Sequence, residues 1–274
     1  MKRVLILLLL CAPAWGANDF TLDANCVSLW KFDTASWLAD SISTNTLANF
    51  SMSNNNSLYK EGDASADSPG TLAAYLQITD ASLSAGFPWK KNVSSPIFSV
   101  CFWFRMDTVP AEGDSQALIS KWHAAFGERQ WLIQVSQGSG TVRVGVLQGY
   151  NNGASNEFIG HAAGMNATTW YHVGITYVDA TKAMTIRIWD DTGGAILGTD
   201  ISHTFTNNVN TVDAATMLVG NAENPFNPLI GNVDEMVFFN DVLTADEIDE
   251  IRLGTYGAPA ATGTSDWWYR RRHN

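Results

Sequence analysis

The sequence predicts an all-β chain, a two-sheet antiparallel jelly-roll sandwich closed by one short C-terminal helix. Three observations carry that expectation. Between residues 26 and 240, short runs rich in Val, Ile, Phe, Tyr and Trp alternate with clusters of Asn, Gly, Ser and Asp. Within the runs, apolar residues recur at every second position, the period of a strand with one wet face. No long helical period precedes residue 243 and no solenoid-spaced repeat is present, which excludes βαβ and repeat architectures.

In chain order, "SLWKFD" (28–33) opens the pattern. The polar stretch 43–70 reads as a long loop holding one strand. "IFSVCFWFR" (97–105) is apolar on both faces, so its outer face should be covered. "WLIQV" (131–135) turns Trp131, Ile133 and Val135 inward, and "TVRVGVLQ" (141–148) does so with Val142, Val144 and Val146. "WYHVGITYV" (170–178) puts Tyr171, Val173, Ile175 and Tyr177 on one face and His172 on the other; "MTIRIWD" (184–190) repeats the form with Met184, Ile186 and Ile188. "GNAENPFNPLIG" (220–231) reads as a hairpin connection. Thr244-Ala245-Asp246-Glu247 is a capping box that starts a helix with Ala245, Ile248 and Ile251 as its apolar stripe, and Gly254 is placed to end it.

Residues 1–16 read as a signal peptide: Met1-Lys2-Arg3, an apolar run from Val4 to Leu10, then small residues, with Ala14-x-Gly16 as the preferred cleavage site. The run is too short to span a bilayer, so no transmembrane segment is expected and the chain should be secreted. The domain is expected over 17–255, and 256–274 as a small-residue linker with an aromatic and arginine tail, "DWWYRRRHN". A formal net charge of −11 argues against nucleic-acid binding, which needs a basic face. Only Cys26 and Cys101 follow the leader; a disulfide and two packed thiols are both open readings.

The ordered set "SLWKFD" with Asp40-Ser41, "YLQITD" (75–80), "FSVCFWFR" (98–105), "ALISKW" (117–122), "TWYHVGITY" (169–177), "MLVG" (217–220) and "GNVDEMVFFNDVLTADEI" (231–248) resembles the LamG-like jellyroll family, within the concanavalin A-like lectin and glucanase group. The resemblance runs from about Val27 to Gly254. It implies two sheets of six or seven strands, export, and binding of a glycan or a surface protein, often with a calcium ion. Laminin G domains usually carry a disulfide near the C-terminus. This chain has no cysteine after Cys101, so any bridge would join Cys26 to Cys101.

Acid pairs raise the question of catalysis. The glucanase branch of the group uses Glu-x-Asp-x-x-Glu or its shorter variant on a strand; "EIDEI" (247–251) has Glu247 and Asp249, but Ile251 and Arg252 where the last acid belongs, and it lies on the expected helix. No enzyme is therefore expected. Asp234 and Glu235 interrupt the apolar strand "VDEMVFF", and alternation turns one carboxylate inward, where it must find N–H groups, a cation or a proton. Two readings follow: hydrogen bonds that tie the strand to the first loop, or a calcium site shared with Asp40. The loop residues Trp37, Trp89, Lys121, Trp122, His123, Tyr150, Asn151 and Asn152 are the expected ligand-binding set, because a flat ring beside amide and charged groups can stack on a sugar. The function expected is an exported non-catalytic module that binds a glycan or a cell-surface protein through its loops; the competing expectation is an adhesion protein held at an acidic surface by its C-terminal tail.

Overall fold

The computed structural model describes residues 18–257 apart from 124–127, 163, 213 and 223–226. The expected leader and the arginine tail lie outside the described residues. Among the described residues sixteen strands follow one another: β1 (Cys26–Trp30), β2 (Ala48–Phe50), β3 (Ser53–Asn55), β4 (Ser65–Pro69), β5 (Tyr75–Ile78), β6 (Ile97–Met106), β7 (Ser115–Trp122) and β8 (Arg129–Gly138) in the first half. The second half holds β9 (Thr141–Tyr150), β10 (Ser155–Ala162), β11 (Trp170–Val178), β12 (Ala183–Asp190), β13 (Ala195–Ile196), β14 (Ile201–Thr204), β15 (Met217–Val219) and β16 (Ile230–Phe239), then helix α1 (Ala245–Leu253). The stretch 43–70 thus holds three short strands rather than one.

Two antiparallel sheets pack face to face. One runs β13-β12-β11-β6-β16-β4-β3, with β1 also on β16 and β14 also on β12; the other runs β10-β9-β8-β7-β15-β5-β2. The first sheet's nine strands fill only seven lanes. β4 pairs Ile230–Val233 and β1 pairs Met236–Phe239 of β16, and β13 and β14 share the far side of β12 in the same way. The segment 220–229 passes from one sheet to the other, so it is a crossover and not a hairpin.

Alternation sends the expected residues inward. Trp131, Ile133, Val135, Val142, Val144, Val146, Tyr171, Val173, Ile175, Tyr177, Met184, Ile186 and Ile188 all join one buried core. Aromatic rings fill its centre edge to face, as between Trp131 and Tyr177 at 4.8 Å. That arrangement sets the positive ring edge against the negative face.

The outer face of the nine-stranded sheet is covered. Leu29, Cys101, Val237 and Phe239 pack there against Phe20, Tyr256 and the α1 residues Ile248 and Ile251. The capping box forms in full, with Thr244 Oγ1 accepting from the Glu247 N–H and Glu247 accepting from the Thr244 N–H, and Gly254 ends the helix at φ 71°. Ala245 is exposed, so the apolar stripe is Ile248 and Ile251 alone. Asp249 accepts from Arg187 at 2.7 Å and ties the helix to β12. Helix and sheet approach closely at Gly174, where a Cβ would stand 2.6 Å from Ile248 Cγ2.

Both cysteines are free and buried. β1 and β6 flank β16 on opposite sides, with Cys26 opposite Phe239 and Cys101 opposite Val237. Two strand spacings separate the thiols by about 10 Å, beyond the reach of a disulfide. Burial pushes the Cys26 thiol up to about 12, so it is unreactive as well as unpaired.

Gly174→Val should force the helix off the sheet and cost about 1–3 kcal/mol, whereas Thr244→Ala should cost about 1 kcal/mol through the lost cap. Urea unfolding midpoints of the two variants check the order.

Candidate functional site

The three acids expected to share a cation are not brought together as one. Asp40 sits in a nest of donors: its carboxylate accepts from Ser28 Oγ at 2.6 Å, Ser43 Oγ at 2.6 Å, and the backbone N–H of Leu29, Ile42, Ser43 and Asn45. Burial pulls its pKa up, but these donors outweigh it and hold the carboxyl below its ordinary value. It fastens the segment after β1 to that strand. Among the described residues no group of three or more His, Cys, Asp or Glu side chains is arranged to hold a metal ion. With its oxygens taken by N–H and O–H donors, Asp40 does not fit calcium with Asp234 and Glu235.

Asp234 and Glu235 also depart from simple alternation. The register of β16 against β6 slips between Asp234 and Val237, and Glu235 takes φ 46°. This is a β-bulge, one extra residue that leaves the ladder. It resets the strand: Val233, Met236 and Phe238 face the core, while Val237 and Phe239 face outward with Asp234's partner Trp103. Asp234 is fully buried, with Oδ2 accepting from Lys60 N at 2.7 Å and Glu61 N at 3.1 Å, and Oδ1 from Glu235 N at 3.0 Å. Those bonds pin the 56–64 loop over the sheet. Glu61 completes the clamp by accepting from Trp103 Nε1 at 3.0 Å, and Lys60 lies over the Trp103 ring and pairs with Asp191 at 2.6 Å.

Burial drives the charge state here. It raises the Asp234 carboxyl to about 8 against three N–H bonds, with Glu61 adding to the rise. Burial, then Glu61 and Asp234, push Glu235 well above its ordinary value, and burial raises Glu61 as well. Asp234 and Glu61 hold the loop to the sheet, and all three acids resist ionisation, so this is a fastening. Asp234 presents no oxygen to an open cleft.

The expected rim residues divide. Trp89 is wholly buried, edge-on to Phe98 and Phe238 and stacked with Trp131, because the loop between β5 and β6 tucks Phe87 and Trp89 into the sandwich. Lys121 faces inward opposite Trp131 and pairs with Asp80 at 3.1 Å with no exposed surface. Trp122 is buried with Ala117, Leu132 and Ala222, under the Arg129 guanidinium. None of these three can face a ligand, since each spends its surface on packing. Trp37 is half-buried against the core. His123, Tyr150, Asn151 and Asn152 do gather at one end of the seven-stranded sheet, at the ends of neighbouring strands; Asn151 and Asn152 are exposed at the hairpin tip with φ 54° and 53°. His123 Nδ1 lies 3.0 Å from Glu128.

The seven-stranded sheet carries the feature that sequence reasoning missed. Register places Phe158, Leu147, Leu132, Ser120, Leu218 and Gln77 in one row across its outer face. The middle of that row is covered, with Ser120 Oγ donating to Asn221 O at 2.9 Å. The β9–β10 side is open. Phe158 there is 42% exposed. Its ring lies over two glycines: a Cβ on Gly145 would stand 2.3 Å from it, and one on Gly160 2.9 Å. The ring is thus laid flat against the sheet with its other face in water. Arg143 and Gln134 occupy the same face, and Asn156 stands exposed two residues before the ring. Glu157 accepts from Thr206 N and lies 2.9 Å from His203 Nε2, which ties β10 to the edge of the other sheet and steadies the platform. The signal was present in the sequence as glycines at outward positions, Gly145 and Gly160, around one aromatic residue.

A family described as the concanavalin A-like lectin/glucanases superfamily matches residues 69–249. No curated protein sequence matches the chain. Among solved structures, domain 4 of AbnA, an extracellular arabinanase of Geobacillus stearothermophilus in complex with arabinotriose, is similar at 16% identity and TM-score 0.54, covering 84% of this chain and 98% of that one. The binding domain of Paraclostridial Mosquitocidal Protein 1 superposes at 13% identity and TM-score 0.61, and the binding domain of botulinum neurotoxin DC in complex with SialylT at 14% and 0.53. This chain spans about half of each of those two, 52% in both cases, with 84% and 85% of itself. These likenesses show the fold.

The raised acids give a pH sign. A carboxyl whose folded pKa exceeds its unfolded value binds its proton more tightly when folded, so it favours the fold at low pH and loses that advantage as pH rises through the folded pKa. Thermal midpoints should therefore fall between about pH 4 and pH 8, the window bounded by Asp234, and Asp234→Asn should flatten the slope. A wild-type midpoint that climbs across that window would contradict the assignment.

Proposed function

We propose, for a chain that belongs to the concanavalin A-like lectin/glucanases superfamily, that it is a non-catalytic module which binds a carbohydrate on the open half of its seven-stranded sheet. The observation that carries this reading is Phe158, an exposed ring laid flat on two glycines. A sugar ring offers one face of C–H groups and a rim of hydroxyls. The C–H face would stack on Phe158, and the hydroxyls would meet the guanidinium of Arg143 and the amides of Gln134 and Asn156. The hairpin tip begins with Asn151, four residues along β9 from Leu147, the partner of Phe158, about 14 Å away, within reach of a sugar unit further along a bound chain. The sugar-bound arabinanase domain and the SialylT-bound toxin domain support this reading through their shared fold.

The absence of catalysis is part of the proposal. Asp234 and Glu61 spend their carboxyls on backbone N–H groups and the Trp103 indole, and burial with two neighbouring acids pushes Glu235 well above its ordinary value, so the three are not arranged as a donor and an ionised nucleophile. Export is proposed from the leader-like first sixteen residues, which suits a module that meets a glycan outside the cell.

Phe158→Ala should weaken binding of the best glycan found on an array by at least about 10-fold, by removing a stacked ring worth roughly 1–3 kcal/mol in comparable settings. Because the ring is exposed, the thermal midpoint should stay within experimental error. Gly145→Val should do the same by lifting the ring. Calorimetric titration of all three proteins checks this, and unchanged affinity in Phe158→Ala would overturn the reading.

A further inference from the structure

We propose that the same face holds a second sugar platform at its opposite edge, formed by Phe50 and Tyr75, so that one neutral linear polysaccharide is held at two points. This rests on the reading of Phe158 above and extends it.

Phe50 of the edge strand β2 is the cross-strand partner of Tyr75 in β5. Leu76 and Ile78 of β5 lie in the core, so Tyr75 and Gln77 point outward, and Phe50 with them. The two rings stack at 4.9 Å with planes 19° apart. Phe50 is 40% exposed. One exposed ring is ordinary on a protein surface. A second ring stacked face to face behind it holds Phe50 in one orientation, so the pair stands as a fixed aromatic wall on the face that carries Phe158.

The platform is built in advance of any ligand. Asn49 Nδ2 donates to Met52 O at 3.0 Å, and Asn49 Oδ1 accepts from Met52 N at 3.1 Å. That exchange closes the turn after β2 with Ser51 at φ 56°, so the amide is spent on holding Phe50 in place. Gln77, next on the same face of β5, is half-buried and supplies an amide at the platform's border.

β10 and β2 are the two edges of the seven-stranded sheet, six strand steps apart. At the usual spacing that is about 29 Å along the sheet. Asn221 and its neighbours cover the middle of the face, so the platforms are two sites and not one groove. A short oligosaccharide reaches one of them, whereas a polymer reaches both and gains effective concentration from the linkage. The chain's net charge of −11 disfavours a polyanion, and the uncharged rings of Phe50 and Tyr75 suit a neutral polysaccharide.

The test uses the full chain with immobilised arabinan, xylan, mannan and mixed-linkage β-glucan, followed by calorimetry with the tetrasaccharide of whichever polymer is retained. The expected result is two tetrasaccharides bound per wild-type chain, one per Phe50→Ala chain and one per Phe158→Ala chain, with polymer affinity falling at least about 10-fold in either variant. Circular dichroism and thermal midpoints confirm that both variants are folded. A single wild-type site that Phe158→Ala removes and Phe50→Ala leaves intact would overturn the second platform and spare the first. A single site removed only by Phe50→Ala would overturn the reading of Phe158, and retention of no polymer would overturn both.

Discussion

The molecule is organised around β16. This strand pairs with β6 along one side and with β4 and then β1 along the other, so it joins the first strand of the chain to the last. Strand pairing alone would leave its acidic residues stranded among apolar neighbours. The bulge at Glu235 resolves that conflict: one left-handed residue lets Met236 and Phe238 reach the core while Asp234 turns outward beneath the 56–64 loop. A fully buried carboxyl there would be costly if ionised and alone. It is instead bonded to three backbone N–H groups and shifted towards its neutral form.

That fastening settles how the two outer faces are used. The nine-stranded sheet is roofed by α1, by Phe20 and Tyr256, and by the Lys60–Glu61 clamp over Trp103. Among the described residues, the cover on the seven-stranded sheet is a local one near Asn221. Two exposed rings stand at its ends, Phe158 on β10 and Phe50 on β2, and a third, Tyr59, is exposed on the 56–64 loop.

Much of this was legible in the residues because the relevant signals are local. Alternation in 131–135, 141–148, 170–178 and 184–190 named the inward side chains, and Thr244, Glu247 and Gly254 marked both ends of the helix. What stayed hidden depends on events that no short window encodes. A bulge swaps the faces of everything downstream, so Val237 and Met236 traded places relative to simple alternation. "FPWKKN" is polar enough to read as a surface loop, yet Phe87 and Trp89 dive inward while Lys90 Nζ donates to the carbonyls of Asp80 and Ala81 outside. Trp122 and Lys121 looked like rim residues because strand ends are hard to place from sequence, and β7 runs on through both and buries them. Phe158 escaped notice because its meaning lies in glycines on two strands, ten and more residues apart, that meet only after pairing.

The central claim is that recognition belongs to the open sheet face and that the β16 acids are structural. Amide and ring NMR shifts of the isotopically labelled chain, followed during titration with a bound oligosaccharide, test it most directly. The account predicts that the resonances of Phe158, Gly145, Gly160 and Gln134 move while those of Glu61, Asp234 and Glu235 do not. The opposite pattern, with the acids moving and Phe158 still, would contradict it.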